Sequence, residues 1–208
     1  MTIGAAGGID VAGSGRRLTL TPISFDIVVA LGQLPDGLRL STLAQAIGSP
    51  VSSVQAALRV LVGNGLAARV GDAPPHYRLA PDHPAADALL QLALVLPDAA
   101  RATAIAVRAS PAVELAVVDS AGFVVALSRG AGPDERVRLT GMLDVVAAAR
   151  ADAPPVEFFD HAEMARLLAV SIGLRDRIRR AVVIKGRLPR GKAAPAGGLL
   201  TRPGQPVR

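Results

Sequence analysis

The stretch LAQAIGSPVSSVQAALRVL, residues 43–61, gathers Ser49, Ser52, Ser53, Gln55 and Arg59 around a single charge and contains no lysine. Hydroxyl, amide and guanidinium groups recognise other molecules through hydrogen bonds. Groups suited to bond-breaking chemistry are scarce elsewhere. There is no cysteine, which excludes thiol catalysis, disulfide frameworks and cysteine metal sites. His76, His83 and His161 are scattered along the chain and read as structural. No Gly-rich loop ends in Lys-Ser/Thr, and neither His-Glu-x-x-His nor Gly-x-Ser-x-Gly occurs. The expectation is a chain with no catalytic residues, no cofactor and no metal.

The elements that must hold these side chains can be read from caps and periodicity. Residues 1–16 are small and Gly-rich, which reads as a flexible lead-in. Thr21-Pro22 supplies an N-cap and a proline at the first helical position. The helix it opens, over 22–34, is expected to bury Phe25, Val28, Val29 and Gly32 on one side. Pro35-Asp36-Gly37 ends it, and residues 38–40 are short and extended. Ser41 is expected to cap a second helix reaching Ile47. Gly48 then turns the chain, Ser49 caps again, and Pro50 opens a third helix to Gly63. Val51, Val54, Leu58 and Leu61 share one face of that helix, leaving Ser52, Ser53, Gln55, Ala56 and Arg59 on the other. Residues 66–70 and 76–80 read as strands around Gly71-Asp72-Ala73-Pro74-Pro75.

Helix, short strand, helix, tight turn, helix and hairpin make a winged helix. Ala44 lets the two helices cross closely, Gly48 suits a turn at positive φ, and Val54 and Leu58 fill the crossing. The pattern LA-x-x-I-G-S-P-V-S-S-V-x-x-x-L-x-x-L, with GLAARV and HYRL, resembles winged-helix regulators of the ArsR, MarR and IclR type over residues 17–80. The resemblance implies that Ser52, Ser53, Gln55 and Arg59, with Ser49 at the entry, face a major groove. There Gln pairs with adenine, Ser donates or accepts, and Arg reaches guanine or phosphate. It further implies that Arg69, His76 and Arg78 lie along phosphates on the outer face of the wing.

Beyond Pro84 the composition changes, placing domain boundaries at 17–83 and 84–185. Residues 85–96 and 98–109 read as Ala/Leu-rich helices, 112–119 and 123–128 as a hairpin, and 134–150 as a helix. Residues 156–159 read as a strand, with helices at 161–169 and 173–180. The expected fold is α+β: a winged helix, then a small domain whose short sheet is covered by helices. The segment order and VEFFDHAEM…RDRIRRAVVIKG resemble a minimal nucleotidyltransferase domain. That family needs a Gly-Ser turn and an Asp-x-Asp pair for Mg²⁺. Here the first strand ends VVDSAGF and FVVALS holds no acid. Asp119 alone cannot hold two metals, so the resemblance implies a scaffold or sensor without the catalytic apparatus.

The net charge of +6 divides unevenly, as +1 over residues 1–83, −2 over 84–154 and +7 over 155–208. Arg175 to Arg208 contains ten Arg/Lys and one Asp, and residues 186–208 read as a basic disordered tail. With one charge on the third helix, tight DNA binding needs further contacts, from the tail or from a homodimer formed through 85–109. No apolar run reaches the ~20 residues of a membrane span and no secretory signal is visible, so a cytoplasmic protein is expected. Few aromatics argue against a single-strand stacking platform. The function expected is a bacterial-type transcriptional regulator on double-stranded DNA, with an effector of unknown kind. An adaptor whose winged helix binds protein is the alternative, and a divergent nucleotidyltransferase a third.

Overall fold

Thr21 and Pro22 open the first helix of the computed structural model, which describes residues 19–188. The expected lead-in at 1–16, and the expected tail beyond Leu188, lie outside the described residues. In α1, Pro22–Gly32, the Thr21 hydroxyl accepts from the Ser24 backbone N–H while Ser24 Oγ accepts from Thr21 N–H. This reciprocal cap satisfies two donors that a helix start leaves unpaired. The one-sided burial expected for α1 is wrong: every residue from Ser24 to Leu31 is buried. A helix that is apolar all round must be enclosed. Here the helices at 40–47, 51–63, 86–95 and 99–109 and the strand at 76–79 surround it.

β1, Leu38–Arg39, leads directly into α2, Leu40–Ile47. Ser41 is therefore not its cap; Arg39 holds that position and makes no side-chain capping bond. α3 spans Val51–Gly63, and β2, Ala67–Val70, and β3, His76–Leu79, form the wing. The three strands are ordered β1-β3-β2, all antiparallel. Leu43, Val54, Leu58 and Leu61 are fully buried where α2 and α3 meet α1. Truncating one of these leucines to Ala would cost about 2–5 kcal/mol.

α4, Ala86–Val95, and α5, Ala99–Ala109, pack on α1. Their buried faces are thus covered within the chain, while Leu92 stays half-exposed on α4 and Leu96, just after it, is 46% exposed. Asp26, almost fully buried in α1, receives a bidentate pair from Arg101 of α5, the closest approach being 2.6 Å. One apolar core runs from α1 through α5 and the helix at 133–149 to one face of the second sheet.

That sheet is built from β4, Val113–Asp119, β5, Gly122–Leu127, β6, Val156–Phe159, and β7, Val182–Lys185, in the order β6-β5-β4-β7. β6 runs parallel to β5 after the crossover through α6, Pro133–Ala149. α7, His161–Val170, and α8, Ile172–Arg180, cover the opposite face with Met164 and Ile178. Val113, Ala116, Phe123 and Val125 join the first core, whereas Leu115, Val117, Val124 and Ala126 join the second. Covering both faces explains why β4 and β5 read as apolar runs rather than alternations. β7 is an addition to the sequence reading, which ended at the helix before it.

Candidate nucleic-acid interface

The turn between α2 and α3 depends on Gly48, whose φ is +70°. Its N–H and that of Ser49 both donate to Ala44 O, at 2.9 and 3.1 Å. This closure of the helix end favours glycine, which has no Cβ to oppose a left-handed backbone. Ala44 is buried at the crossing, as its small size suggested.

α3 turns Val54, Ala57, Leu58 and Leu61 inward and leaves Ser52, Gln55, Ala56 and Arg59 exposed, with Ser53 half-exposed. Val51 departs from the expected apolar face: as the first residue of the helix it is 48% exposed. Ser49 does not cap α3 either. Pro50 occupies the cap position, its carbonyl accepting from Ser53 and Val54 N–H, and no side chain caps the helix. Ser49 lies half-exposed in the turn.

Strand register divides the wing residues between two faces. Arg69 pairs with Tyr77, which pairs in turn with buried Leu38. His76 pairs with Arg39 and Val70, and Arg78 with Ala68. Directly opposed residues share a face while successive residues alternate. His76 and Arg78 are therefore together on one face, and Arg69 is on the other, contrary to the expected single outer face. Arg39 Nε donates to His76 Nε2 at 3.4 Å. Arg78 is half-exposed, and its Nε is buried without a hydrogen-bond partner.

The structure adds a cation that sequence reasoning missed. Arg108, in the last turn of α5, places Nη1 3.4 Å from Ala46 O near the end of α2, beside the Gly48 turn. Its position in a helix assigned to the second unit carried no signal for this. The three histidines serve different neighbours. His83 Nδ1 accepts from Ala85 N–H, His161 Nδ1 lies 2.7 Å from Glu114, and His76 meets Arg39.

Asp119 lies in an ion cluster. Arg177 bonds Asp119 and Glu157, each at 2.6 Å, and Ala121 N–H donates to Asp119 Oδ1. The Arg177 guanidinium holds the Asp119 carboxyl below its usual range against the opposing effect of burial, and the Ala121 and Gly122 amides add to the lowering. Among the described residues no group of three or more acids or histidines is arranged to hold a metal ion.

Helix, strand, helix, helix and hairpin, with β1 joined to the hairpin, define a winged helix-turn-helix followed by an α+β unit. Residues 12–71 match the family model of the IclR helix-turn-helix domain. The match takes in α1 to β2 and stops before β3; IclR is one of the three regulator types that the motif resembles. No curated protein and no solved structure matches the chain. The nucleotidyltransferase likeness of the second unit gains no support from these comparisons. No described helix is long and apolar enough to cross a membrane.

Proposed function

We propose that this chain is a transcriptional regulator that docks α3 in the major groove of double-stranded DNA. The carrying observation is the match of 12–71 to an IclR helix-turn-helix domain, together with the exposed polar face of α3. Gln55 and Arg59 read base edges, Ser52 and Ser53 adapt to either partner, and Ser49 lies at the backbone. Arg69 follows phosphates on one face of the wing, and Arg39 follows them on the other, beside His76 and Arg78. Between Gly37 and Gly71 the chain holds three arginines and no carboxylate, with the exposed Asp36 and Asp72 just outside that stretch. The uncapped first turn of α3 also leaves backbone N–H groups, and a helix N-terminus suits phosphate.

One protomer with so few cations binds weakly, and a homodimer doubles its contacts. A regulator of this kind works in the cytoplasm and performs no catalysis. The competing reading is an adaptor whose winged helix binds protein, favoured by Val51 and Val60, which are 48% and 39% exposed on α3. Selection from a randomised duplex pool decides between them. The native chain should enrich one motif, and the Gln55→Ala, Arg59→Ala double variant should lose that preference while keeping its helical circular dichroism. No enrichment by the native chain would leave the adaptor; preference retained by the variant would sink the assignment of α3.

A further inference from the structure

A cleft of about 530 Å³ lies between α2, the C-terminal end of α5 and β7. Its size falls among small-molecule sites, which run to roughly 300–1,000 Å³. Arg108 and Lys185 line it, with Thr42 and Gln45 of α2 as neutral hydrogen-bonding groups. No Asp or Glu is among its lining residues. Leu34, Leu38, Val183 and Ile184 provide apolar wall. Each cation already bonds a helix-end carbonyl: Arg108 meets Ala46 O and Lys185 Nζ donates to Ser110 O. Neither has a carboxylate partner among the described residues. A guanidinium and an ammonium both have several donors, so each retains capacity for another acceptor.

We propose that this cleft binds a small organic carboxylate, its head between Arg108 and Lys185 and its apolar body along Leu38, Val183 and Ile184. The chemistry favours an anion because two cations line the same cleft with no acid among its lining residues, and charge-assisted hydrogen bonds are the stronger kind. It favours a carboxylate with a body over a bare inorganic anion because half of the wall is aliphatic. Burial pushes the Lys185 ammonium down to about 8, which still leaves it protonated at neutral pH. An occupant touches both the first helix of the helix-turn-helix and the edge strand of the second sheet. Occupancy therefore changes DNA affinity, and DNA changes carboxylate affinity by the same factor. This second consequence rests on the regulator reading; the binding site itself does not.

The test titrates full-length ¹⁵N-labelled protein, without DNA, with hexanoate, its neutral isostere hexanamide, and inorganic phosphate. Hexanoate should give saturable shifts centred on Thr42, Gln45, Arg108 and Lys185, with hexanamide and phosphate about tenfold weaker or worse. Lys185→Met and Arg108→Gln should each lose most of that preference, and Lys185→Arg should keep it. If Lys185→Met fails to fold, Arg108→Gln decides alone. Equal responses to hexanoate and hexanamide, equal or tighter phosphate binding, or shifts scattered over the surface would overturn the site. Duplex affinity is then measured with and without saturating hexanoate, and a change of about fivefold or more is expected. Unchanged duplex affinity overturns the coupling alone. Failure to bind any duplex overturns the regulator reading, and the hexanoate titration still decides the cleft.

Discussion

Among the described residues of the winged helix, Arg39, Arg59 and Arg69 are the exposed cations, and the number of such contacts fixes how DNA binding responds to salt. Each phosphate neutralised contributes about 0.9 to the slope of log affinity against log salt, so three contribute about 2.7. A fourfold rise in salt then weakens binding about 40-fold per protomer. Arg59→Ala should flatten the slope to about 1.8, and the same rise in salt should cost about 12-fold. Residues beyond Leu188 include Arg190, Lys192, Arg202 and Arg208. If those four also reach phosphates, the full-chain slope rises toward about 6 with the ranking of sites unchanged. Fluorescence anisotropy on one specific and one unrelated duplex at four salt concentrations measures all of this. The comparison runs between the full chain, the chain ending at Leu188, and Arg59→Ala in each. A slope above about 4 per protomer for the chain ending at Leu188 would refute the contact count. So would a slope that Arg59→Ala leaves unchanged.

Arg101→Ala leaves Asp26 buried without its partner, and should destabilise the chain by about 3 kcal/mol in urea unfolding. Adding Asp26→Ala should recover part of that loss, because the unpaired buried charge goes with it. Gly122 has φ +125°, and a Cβ there would lie 2.3 Å from Pro155 O. Gly122→Ala should therefore lower stability by more than about 2 kcal/mol, read from the denaturant midpoint. Lys185 titrates near 8 when folded, against 10.5 in its ordinary state. Between those values the unfolded chain holds the additional proton, so stability should rise with pH across that window. Subtracting the profile of Lys185→Met should isolate that rise; identical profiles would show that burial does not depress the ammonium.

Much of the first fold unit was legible because its signals are local. Thr21-Pro22 starts α1, Gly48 bends the chain between α2 and α3, and the spacing of Val54, Leu58 and Leu61 orients α3. Each acts through the backbone or through neighbours a turn away. The strand positions of β4, β5 and β6 followed likewise from short β-branched runs. Ser41 and Ser49 misled because Ser41 is already inside α2, two residues past the cap Arg39, and Ser49 lies one residue before the cap Pro50, which backbone angles rather than composition decide.

Long-range packing settled the rest. Residues 22–32 are apolar nearly all round, which calls for enclosure, but nothing in them says that α4 and α5 return to supply it. β7 is a strand of four residues just after an arginine-rich helix, and it becomes a strand by pairing with β4, some seventy residues away. The division of Arg69 from His76 and Arg78 is a matter of register, which a one-residue slip would reverse. Arg108 and Lys185 are ordinary basic residues in the sequence. They face one cleft because α5 ends against α2 and β7 joins the sheet beside them. Sequence by itself determined the helix-turn-helix and the polar face of α3, whose determinants lie within a few residues of each other. Only the tertiary structure decided which distant cations meet, since that depends on contacts the chain makes with itself across its whole length.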